Sequence, residues 1–171
     1  MTALRGSVSS AVLSIGSNLG DRLGYLQAAV DGLKDYVAGP GALSPVYETA
    51  PWGGVEQPAY LNAVVLVTGQ RSPGQWLELA HTLEQAAGRS RETHWGARTL
   101  DVDLIVVDDV RSDDPALRLP HPHAHERAFV LVPWMDVDSA ARLPGHGRVS
   151  TLLSTMDTRD VVRYGALELS P

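Results

Sequence analysis

The sequence predicts an α+β fold in which one antiparallel sheet is covered on one face by helices. Apolar residues follow a helical period in two stretches and a strand-like pattern in four others. Glycine or proline clusters punctuate these stretches. A chain of 171 residues, 44% of them hydrophobic, is long enough to bury one ordinary core, so we expect residues 1–171 to form a single domain.

The first strand and the first helix meet at a glycine-bounded turn. The strand covers Ala11 to Ile15, and the turn Gly16 to Gly20 is followed by Asp21, a residue type that caps helix N-termini. The helix then runs to about Val37 and ends at the glycine and proline residues 39–41. Its apolar residues are spaced three and four apart on one face, and they are Leu23, Leu26, Val30, Leu33 and Val37.

Three more strands complete the predicted sheet. The second strand covers roughly Ala42 to Tyr47 and the third Leu61 to Thr68, with an irregular loop from Thr49 to Pro58 between them. The fourth strand runs from Thr99 to Val107.

The second helix lies between the third and fourth strands. Ser72 and Gln75 form a capping box, Pro73 suits the first turn, and Gly88 is a natural residue to follow the last one. Its predicted buried stripe consists of Trp76, Ala80, Leu83 and Ala87. The resulting order, β-α-β-β-α-β, is that of a ferredoxin-like sandwich.

The remainder of the chain, Asp108 to Pro171, follows a less regular pattern. It predicts a short hairpin, a proline-rich turn, a helix near His125 to Val130 and a small C-terminal extension.

Composition excludes several function classes. A net charge of −6 disfavours general binding to DNA or RNA, because contacts with phosphates dominate that affinity. Without cysteine there is no disulfide, thiolate metal site or thiol nucleophile. No apolar run approaches the roughly 20 residues of a membrane span, and Met1 to Ser10 lack the apolar core of a secretory signal. We therefore expect a cytoplasmic protein that binds neither nucleic acid nor a membrane. We also expect it to act as a monomer, although composition does not bear on this.

The fourth strand carries the sharpest chemical signal. The period of a strand places Asp101 and Asp103 on one face, roughly 6 to 7 Å apart, opposite Leu100, Val102 and Leu104. Carboxylates so placed can hold a pair of Mg²⁺ ions about 3.5 to 4 Å apart together with phosphate oxygens. The alternative is that both aspartates lie on a solvated sheet face, because the motif is short and common.

Three arginines stand just before this strand, at Arg89, Arg91 and Arg98. Guanidinium groups grip phosphate oxygens in bidentate fashion, and arginines beside acidic metal ligands are what an Mg²⁺-nucleoside triphosphate requires. The Gly16 to Gly20 turn lacks the lysine of a P-loop, so that class of enzyme is excluded. The alternative is an arginine-rich loop exposed to solvent.

Two further stretches suggest an organic acceptor. Residues 49–62 contain Trp52, Tyr60 and Asn62, and residues 119–130 add Phe129. A planar heterocycle held between rings and read at its edge by an amide would fit, since an amide donates and accepts hydrogen bonds together. Taken singly, each of these residues is more often part of a core or a turn.

The histidines at His121, His123 and His125 raise the possibility of a zinc site. Pro122 breaks the regular strand geometry, and no nearby fourth ligand stands out. Zinc is therefore the weaker interpretation of these residues.

Taken together, these motifs resemble the 6-hydroxymethyl-7,8-dihydropterin pyrophosphokinases of folate biosynthesis. The resemblance spans about Val12 to Pro133 and rests on several stretches in register, so it is far more specific than any one motif. These stretches are Gly16 to Gly20, Tyr47 to Thr49, Gln57-Pro58 with Tyr60 to Asn62, Gly88-Arg89 with Arg91, Trp95-Gly96 with Arg98 to Asp103, and Leu119 to Pro122 with Glu126-Arg127 and Phe129. The resemblance implies a ferredoxin-like fold and transfer of diphosphate from ATP to the hydroxymethyl group of the pterin, with release of AMP.

The resemblance also implies individual roles. Asp101 and Asp103 would bind two Mg²⁺ ions, and Arg89 and Arg98 would join them as catalytic residues. Tyr60 and Phe129 would sandwich the pterin, Asn62 would read its edge, and Trp95 would close over it. The full set of ATP contacts would be Arg89, Arg91, Arg98, His121 and Arg127, and the full set of pterin contacts would be Thr49, Ala50, Trp52, Tyr60, Asn62, Trp95 and Phe129.

Some positions depart from the family pattern. His94 stands where the family often has arginine, Ala97 replaces the usual proline before Arg98, and the loop between Arg91 and Trp95 is short. These departures concern the loop and its grip on ATP more than the reaction.

Two rival functions stay open on the residues alone. A ligand-binding regulatory module is compatible with the fold, but it leaves Asp101, Asp103 and the arginine-rich loop without a role. A metal-dependent nucleotidyltransferase or glycosyltransferase with the same aspartate motif would release a different nucleotide product and would not need a pterin-like pocket.

Overall fold

The computed structural model describes residues 7–38, 41–51, 56–88 and 99–164. Within these ranges the chain forms α-helices, strands and two short 3₁₀ helices, Lys34–Tyr36 and Ala124–Glu126. The α-helices are Arg22–Leu33 (α1), Pro73–Ala86 (α2), Ala128–Val137 (α3) and Val149–Leu153 (α4). The strands are Val8–Ser17 (β1), Ala42–Leu43 (β2), Tyr47–Thr49 (β3), Tyr60–Gln70 (β4), Asp101–Val107 (β5), Ser112–Asp114 (β6), Leu117–Leu119 (β7), Arg142–Leu143 (β8), Gly147–Arg148 (β9) and Val161–Arg163 (β10).

The main sheet is antiparallel throughout and has the order β10-β3-β4-β1-β5, with β2 paired to β4. β1 lies between β4 and β5, so Ser14 is opposite Val64 of β4 on one side and opposite Asp103 of β5 on the other. The first, third and fourth predicted strands are confirmed as β1, β4 and β5.

The second predicted strand, Ala42 to Tyr47, is wrong as one element, because it is split into β2 and β3. Pro45 lies in the gap and has no N–H to give to a ladder. The register against β4 changes across this gap, from Leu43 opposite Val65 to Tyr47 opposite Asn62.

The predicted helix ends are largely confirmed. The Asp21 side chain accepts a hydrogen bond from the Gly24 N–H at 3.0 Å, and Ser72 and Gln75 form both bonds of the capping box. Gly88 follows α2 with a φ of 69°, a conformation that favours glycine. α1 ends at Leu33 rather than near Val37, because its last turn tightens into a 3₁₀ helix.

Helices cover both faces of the sheet, and the prediction of a single covered face is therefore wrong. α1 and α2 pack against Leu13, Ile15 and other residues of one face, whereas α3 packs against Val12 and Val64 of the opposite face. The helix predicted near His125 to Val130 is the 3₁₀ helix Ala124–Glu126 followed by α3, which continues through Pro133.

A bulge in β5 adds one residue to the α3 face. Val12 pairs with Val106 and Leu13 with Leu104, which leaves Ile105 as the extra residue. Ile105 is fully buried in the cluster around α3. The alternation predicted for Leu100, Val102 and Leu104 is confirmed, since all three are buried and the aspartates between them are partly exposed.

The C-terminal part contributes to the main sheet, which the sequence did not indicate. β10 pairs with β3, and the N–H of Tyr164 donates to the Val46 carbonyl at 2.9 Å. None of the helices in the described ranges has the length and apolar character needed to cross a membrane.

Candidate functional site

One row of residues across three strands brings the predicted organic-acceptor and metal residues together. Gly16 of β1 lies opposite Asn62 of β4 on one side and opposite Asp101 of β5 on the other. Residues directly opposite in antiparallel strands share a face. Asn62 and Asp101 therefore lie on the same face of the sheet, the face covered elsewhere by α3.

Glycine is needed at the centre of this row because the Asn62 amide approaches the backbone closely. A Cβ added at Gly16 would lie 2.9 Å from Asn62 Oδ1. Asn62 is buried, and its Nδ2 donates to Thr49 Oγ1 at 2.8 Å. The amide is thus held in one orientation by Thr49 on one side and by the space at Gly16 on the other.

Asp103 lies one step further along the same face, next to two basic side chains. Arg127 Nη1 donates to Asp103 Oδ2 at 3.2 Å, and His121 Nε2 is 3.9 Å from the same oxygen. The structure therefore brings together three of the residues that the resemblance associates with Mg²⁺ and ATP, namely Asp103, His121 and Arg127.

The environment of the His121 imidazole favours its neutral form at pH 7. Burial is the main cause that lowers its pKa to about 4, helped by Arg127 and His123 and opposed by Asp101. The His123 N–H donates to His121 Nδ1 at 3.2 Å, so the ring proton lies on Nε2. His121 thus presents an N–H donor on the side of Asp103.

The aromatic residues predicted for an organic acceptor border the same region. Tyr60 opens β4, is half-buried and lies opposite Thr49. Phe129 lies in the first turn of α3, with the Arg127 guanidinium 5.7 Å from its ring centroid. Ala50 follows β3 directly and is exposed.

A cavity of about 350 Å³ opens along the outer edge of β5, between α2 and β7. Asp101, Asp103 and His121 line it together with His81 of α2 and Arg118 of β7. The two last residues were missed at the sequence level, because neither belongs to a recognisable motif.

Glu84 of α2 was also missed, and it supports the aspartate strand directly. Its buried Oε1 accepts the N–H of Val102, the residue between the two aspartates, at 2.9 Å. Among the strands that the structure describes, β5 pairs only with β1, and it is the Glu84 carboxylate that accepts this N–H. The sequence could have indicated a buried carboxylate here, since Glu84 lies four residues after Ala80 and therefore on the apolar face of α2.

The donor set fits magnesium better than zinc. Mg²⁺ takes one or two carboxylates and fills its remaining positions with water and substrate phosphates, which suits Asp101 and Asp103 beside Arg127 and His121. His125 instead stacks on His146, with ring centroids 4.2 Å apart. Among the residues that the structure describes, no group of three or more His, Asp or Glu could hold a metal ion.

Five predicted site residues lie outside the described ranges, so their positions are not tested. They are Trp52, Arg89, Arg91, Trp95 and Arg98.

The chain is similar to a known family over most of its length. The family model described as 7,8-dihydro-6-hydroxymethylpterin-pyrophosphokinase (HPPK) matches residues 12–139. Three relatives carry the name 2-amino-4-hydroxy-6-hydroxymethyldihydropteridine pyrophosphokinase. The Mycobacterium leprae protein is 51% identical over 178 residues, covering 95% of this chain and 92% of the relative. The Mycobacterium tuberculosis protein is 45% identical over 166 residues, covering 90% of this chain and 87% of the relative. The Bacillus subtilis protein is 38% identical over 128 residues, covering 74% of this chain and 77% of the relative.

Solved structures show the same fold at low identity. Plasmodium falciparum HPPK-DHPS with SDX-DHP has a TM-score of 0.66 and 13% identity, covering 89% of this chain and 45% of that one. The same protein with pterin and p-hydroxybenzoate has a TM-score of 0.65 and 12% identity, covering 90% and 42%. The chain therefore spans less than half the length of these solved chains.

Proposed function

The chain belongs to the 7,8-dihydro-6-hydroxymethylpterin-pyrophosphokinase family, and from this membership we infer that it transfers diphosphate from ATP to the hydroxymethyl group of 6-hydroxymethyl-7,8-dihydropterin in folate biosynthesis. The products are the pterin diphosphate and AMP. The observation that carries the proposal is the row through Gly16, which sets an amide suited to a heterocycle edge beside a carboxylate suited to Mg²⁺.

We propose that residues 1–171 act as one pyrophosphokinase domain with a ferredoxin-like fold. The antiparallel order β3-β4-β1-β5, with α1 after β1 and α2 after β4 on one face, supports this topology. Both hydrophobic clusters share the one sheet, which supports a single folding unit.

Asp101 and Asp103 are the proposed ligands of two Mg²⁺ ions. When bound, the ions supply charge neutralisation for the triphosphate and stabilise the attacking and leaving oxygens of an in-line displacement. The pterin hydroxyl oxygen bonds to the β-phosphorus and gives up its proton to solvent, while the bond from that phosphorus to the α,β-bridging oxygen breaks and AMP leaves.

Arg127 has two roles in this proposal. In the free protein its guanidinium neutralises Asp103, at 3.2 Å. With Mg²⁺ held by Asp103, the Arg127 guanidinium would be available to bind a phosphate oxygen. His121 donates from Nε2 to a second phosphate oxygen, because its neutral tautomer already carries the proton there.

The two substrates take different parts of the site. The cavity beside β5 supports a nucleoside site next to the aspartates. In this proposal the pterin lies between Tyr60 and Phe129, with Asn62 at its edge. The remaining proposed pterin contacts are Thr49, Ala50, Trp52 and Trp95. The remaining proposed triphosphate contacts are Arg89, Arg91 and Arg98. We propose that Arg89 and Arg98 are also catalytic. We further propose that the protein acts as a monomer and needs neither nucleic acid nor a membrane.

The nucleotide product tests the proposal. Purified protein with Mg²⁺, ATP and 6-hydroxymethyl-7,8-dihydropterin should give equimolar AMP and pterin diphosphate by mass spectrometry, with no ADP. ADP as the main product, or no pterin-dependent consumption of ATP, contradicts the proposal. Binding of both molecules without turnover would instead support a regulatory module.

A further inference from the structure

Arg22, the first residue of α1, joins two strands near the proposed pterin site. Its Nη1 is 2.9 Å from Glu48 Oε2 in β3 and 2.8 Å from the carbonyl oxygen of Ala59, the residue before β4. A single guanidinium nitrogen therefore holds the end of β3 to the start of β4.

The strand register places these two bonds next to the proposed pterin residues Thr49 and Tyr60, but on the opposite face of the sheet. Thr49 follows Glu48 and lies opposite Tyr60, which follows Ala59. Side chains alternate between the faces of a strand. Glu48 therefore faces α1, whereas Thr49 and Tyr60 face the proposed pterin site.

Tyr164 covers the same guanidinium from the C-terminal side. Its ring centroid is 5.9 Å from Arg22 Cζ, and its N–H is bonded to the Val46 carbonyl. The strand before it, β10, pairs with β3. The C-terminal part thus supports β3 through its backbone and supports Arg22 through the Tyr164 ring.

We propose that Arg22 is a positioning residue for the dihydropterin site. Its contacts with Glu48, the Ala59 carbonyl and the Tyr164 ring hold the end of β3 against the start of β4. This fixes Thr49 and Tyr60, which lie opposite each other, and through Thr49 it fixes the Asn62 amide. The inference rests on the proposed placement of the pterin at Tyr60 and Asn62. The Asn62 side chain depends on this pair, because its hydrogen bond is to Thr49 Oγ1. Arg22 lies on the opposite face from the aspartates, so its effect is confined to the pterin.

Equilibrium binding and steady-state kinetics of the full chain test this role. In Arg22→Gln, the Kd and KM for the dihydropterin should rise about fivefold to tenfold, as loss of one charge-assisted hydrogen-bond pair implies. The KM for MgATP should stay within about twofold, a difference too small to reflect a lost interaction. Arg22→Lys should recover most of the pterin affinity, because both bonds leave from one nitrogen and an ammonium group can donate to both acceptors.

Lys34→Gln is the matched control, since it removes a positive charge just after the same helix from an exposed pair with Asp31. It should change neither affinity. Unchanged pterin affinity in Arg22→Gln, an equal rise in both KM values, or no recovery by Arg22→Lys would overturn the positioning role.

Asn62→Ala separates this inference from the proposed site. If Asn62→Ala weakens pterin binding and Arg22→Gln does not, the site stands and the role of Arg22 is wrong. If Asn62→Ala leaves pterin binding unchanged, the proposed pterin site is wrong, and the role assigned to Arg22 is overturned with it.

Discussion

The phenol of Tyr47 in β3 donates a hydrogen bond to the carboxylate of Asp136 in α3. Tyr47 lies two residues before Thr49 and opposite Asn62. This bond therefore ties the helix that carries Phe129 to the strand that carries Thr49, across the face of the sheet that holds the proposed site.

Tyr47→Phe should lower the free energy of unfolding by about 1 to 2 kcal/mol, because Asp136 loses its partner. Burial, and then the bond to Asp136, raise the pKa of Tyr47 to about 12 from an ordinary value of 10.0. The folded state thus keeps the phenol protonated, and this contribution is complete below pH 10 and lost as the pH rises towards 12. Urea unfolding of both proteins at pH 8 and pH 11 should show a smaller difference at pH 11. An equal difference at both pH values would refute this explanation.

Gly16→Ala should weaken pterin binding about tenfold, because the new Cβ displaces the Asn62 amide that lies 2.9 Å away. Gly74→Ala in α2 is the control, since a Cβ at Gly74 would meet Ser72 Oγ at an ordinary contact distance of 3.9 Å. Isothermal titration with the dihydropterin checks both variants. Unchanged affinity in Gly16→Ala would show that the close approach to Asn62 does not shape the site.

Asp101→Asn and Asp103→Asn should each lower kcat at least about a hundredfold, because several kcal/mol of transition-state stabilisation would depend on the charge proposed to hold Mg²⁺. Pterin binding should be nearly unchanged, since the amide keeps the shape of the side chain. Quenched-flow measurement of AMP over a range of Mg²⁺ concentrations tests this. Retention of more than about a tenth of the wild-type turnover, a loss under 1.4 kcal/mol, would show that the metal assignment is wrong.

Glu84→Ala should destabilise the fold by about 1 to 3 kcal/mol, because the N–H of Val102 loses its acceptor in a buried place. Glu84→Gln keeps an acceptor and should cost less. Thermal unfolding of the two variants measures the difference in their stability. The Mg²⁺ concentration for half-maximal activity should also rise more in Glu84→Ala than in Glu84→Gln, since Val102 lies between the two aspartates. Equal destabilisation by both substitutions would show that the hydrogen bond is not the cause.

Local patterns predicted the parts of the fold that depend on neighbouring residues. The capping box at Ser72 and the alternation around Asp101 and Asp103 are confirmed, because both follow from spacings of two or three residues. Pro45 also indicated a break in the second predicted strand. The apolar residues on either side of Pro45 nevertheless fitted one continuous strand, so the change of register against β4 was not predicted.

Long-range pairing set the limit of what the sequence could predict. The apolar residues of α3 could have covered either face of the sheet, and β10 has only three residues, too few to show where it pairs. The contact between Asp103 and Arg127 joins residues that are 24 positions apart, so only the resemblance placed them in one site.

The bulge at Ile105 has a consequence for insertions and deletions in β5. The His121 segment is attached to the sheet by the bond from its N–H to the Ile105 carbonyl, at 2.8 Å. Loss of residue 105 alone would restore a regular ladder with β1 and leave Asp101 and Asp103 in their places. It would remove the anchor of His121 and one buried side chain beneath α3. A change of one residue in length at this point would therefore leave the sheet intact but displace His121 from the proposed nucleotide site.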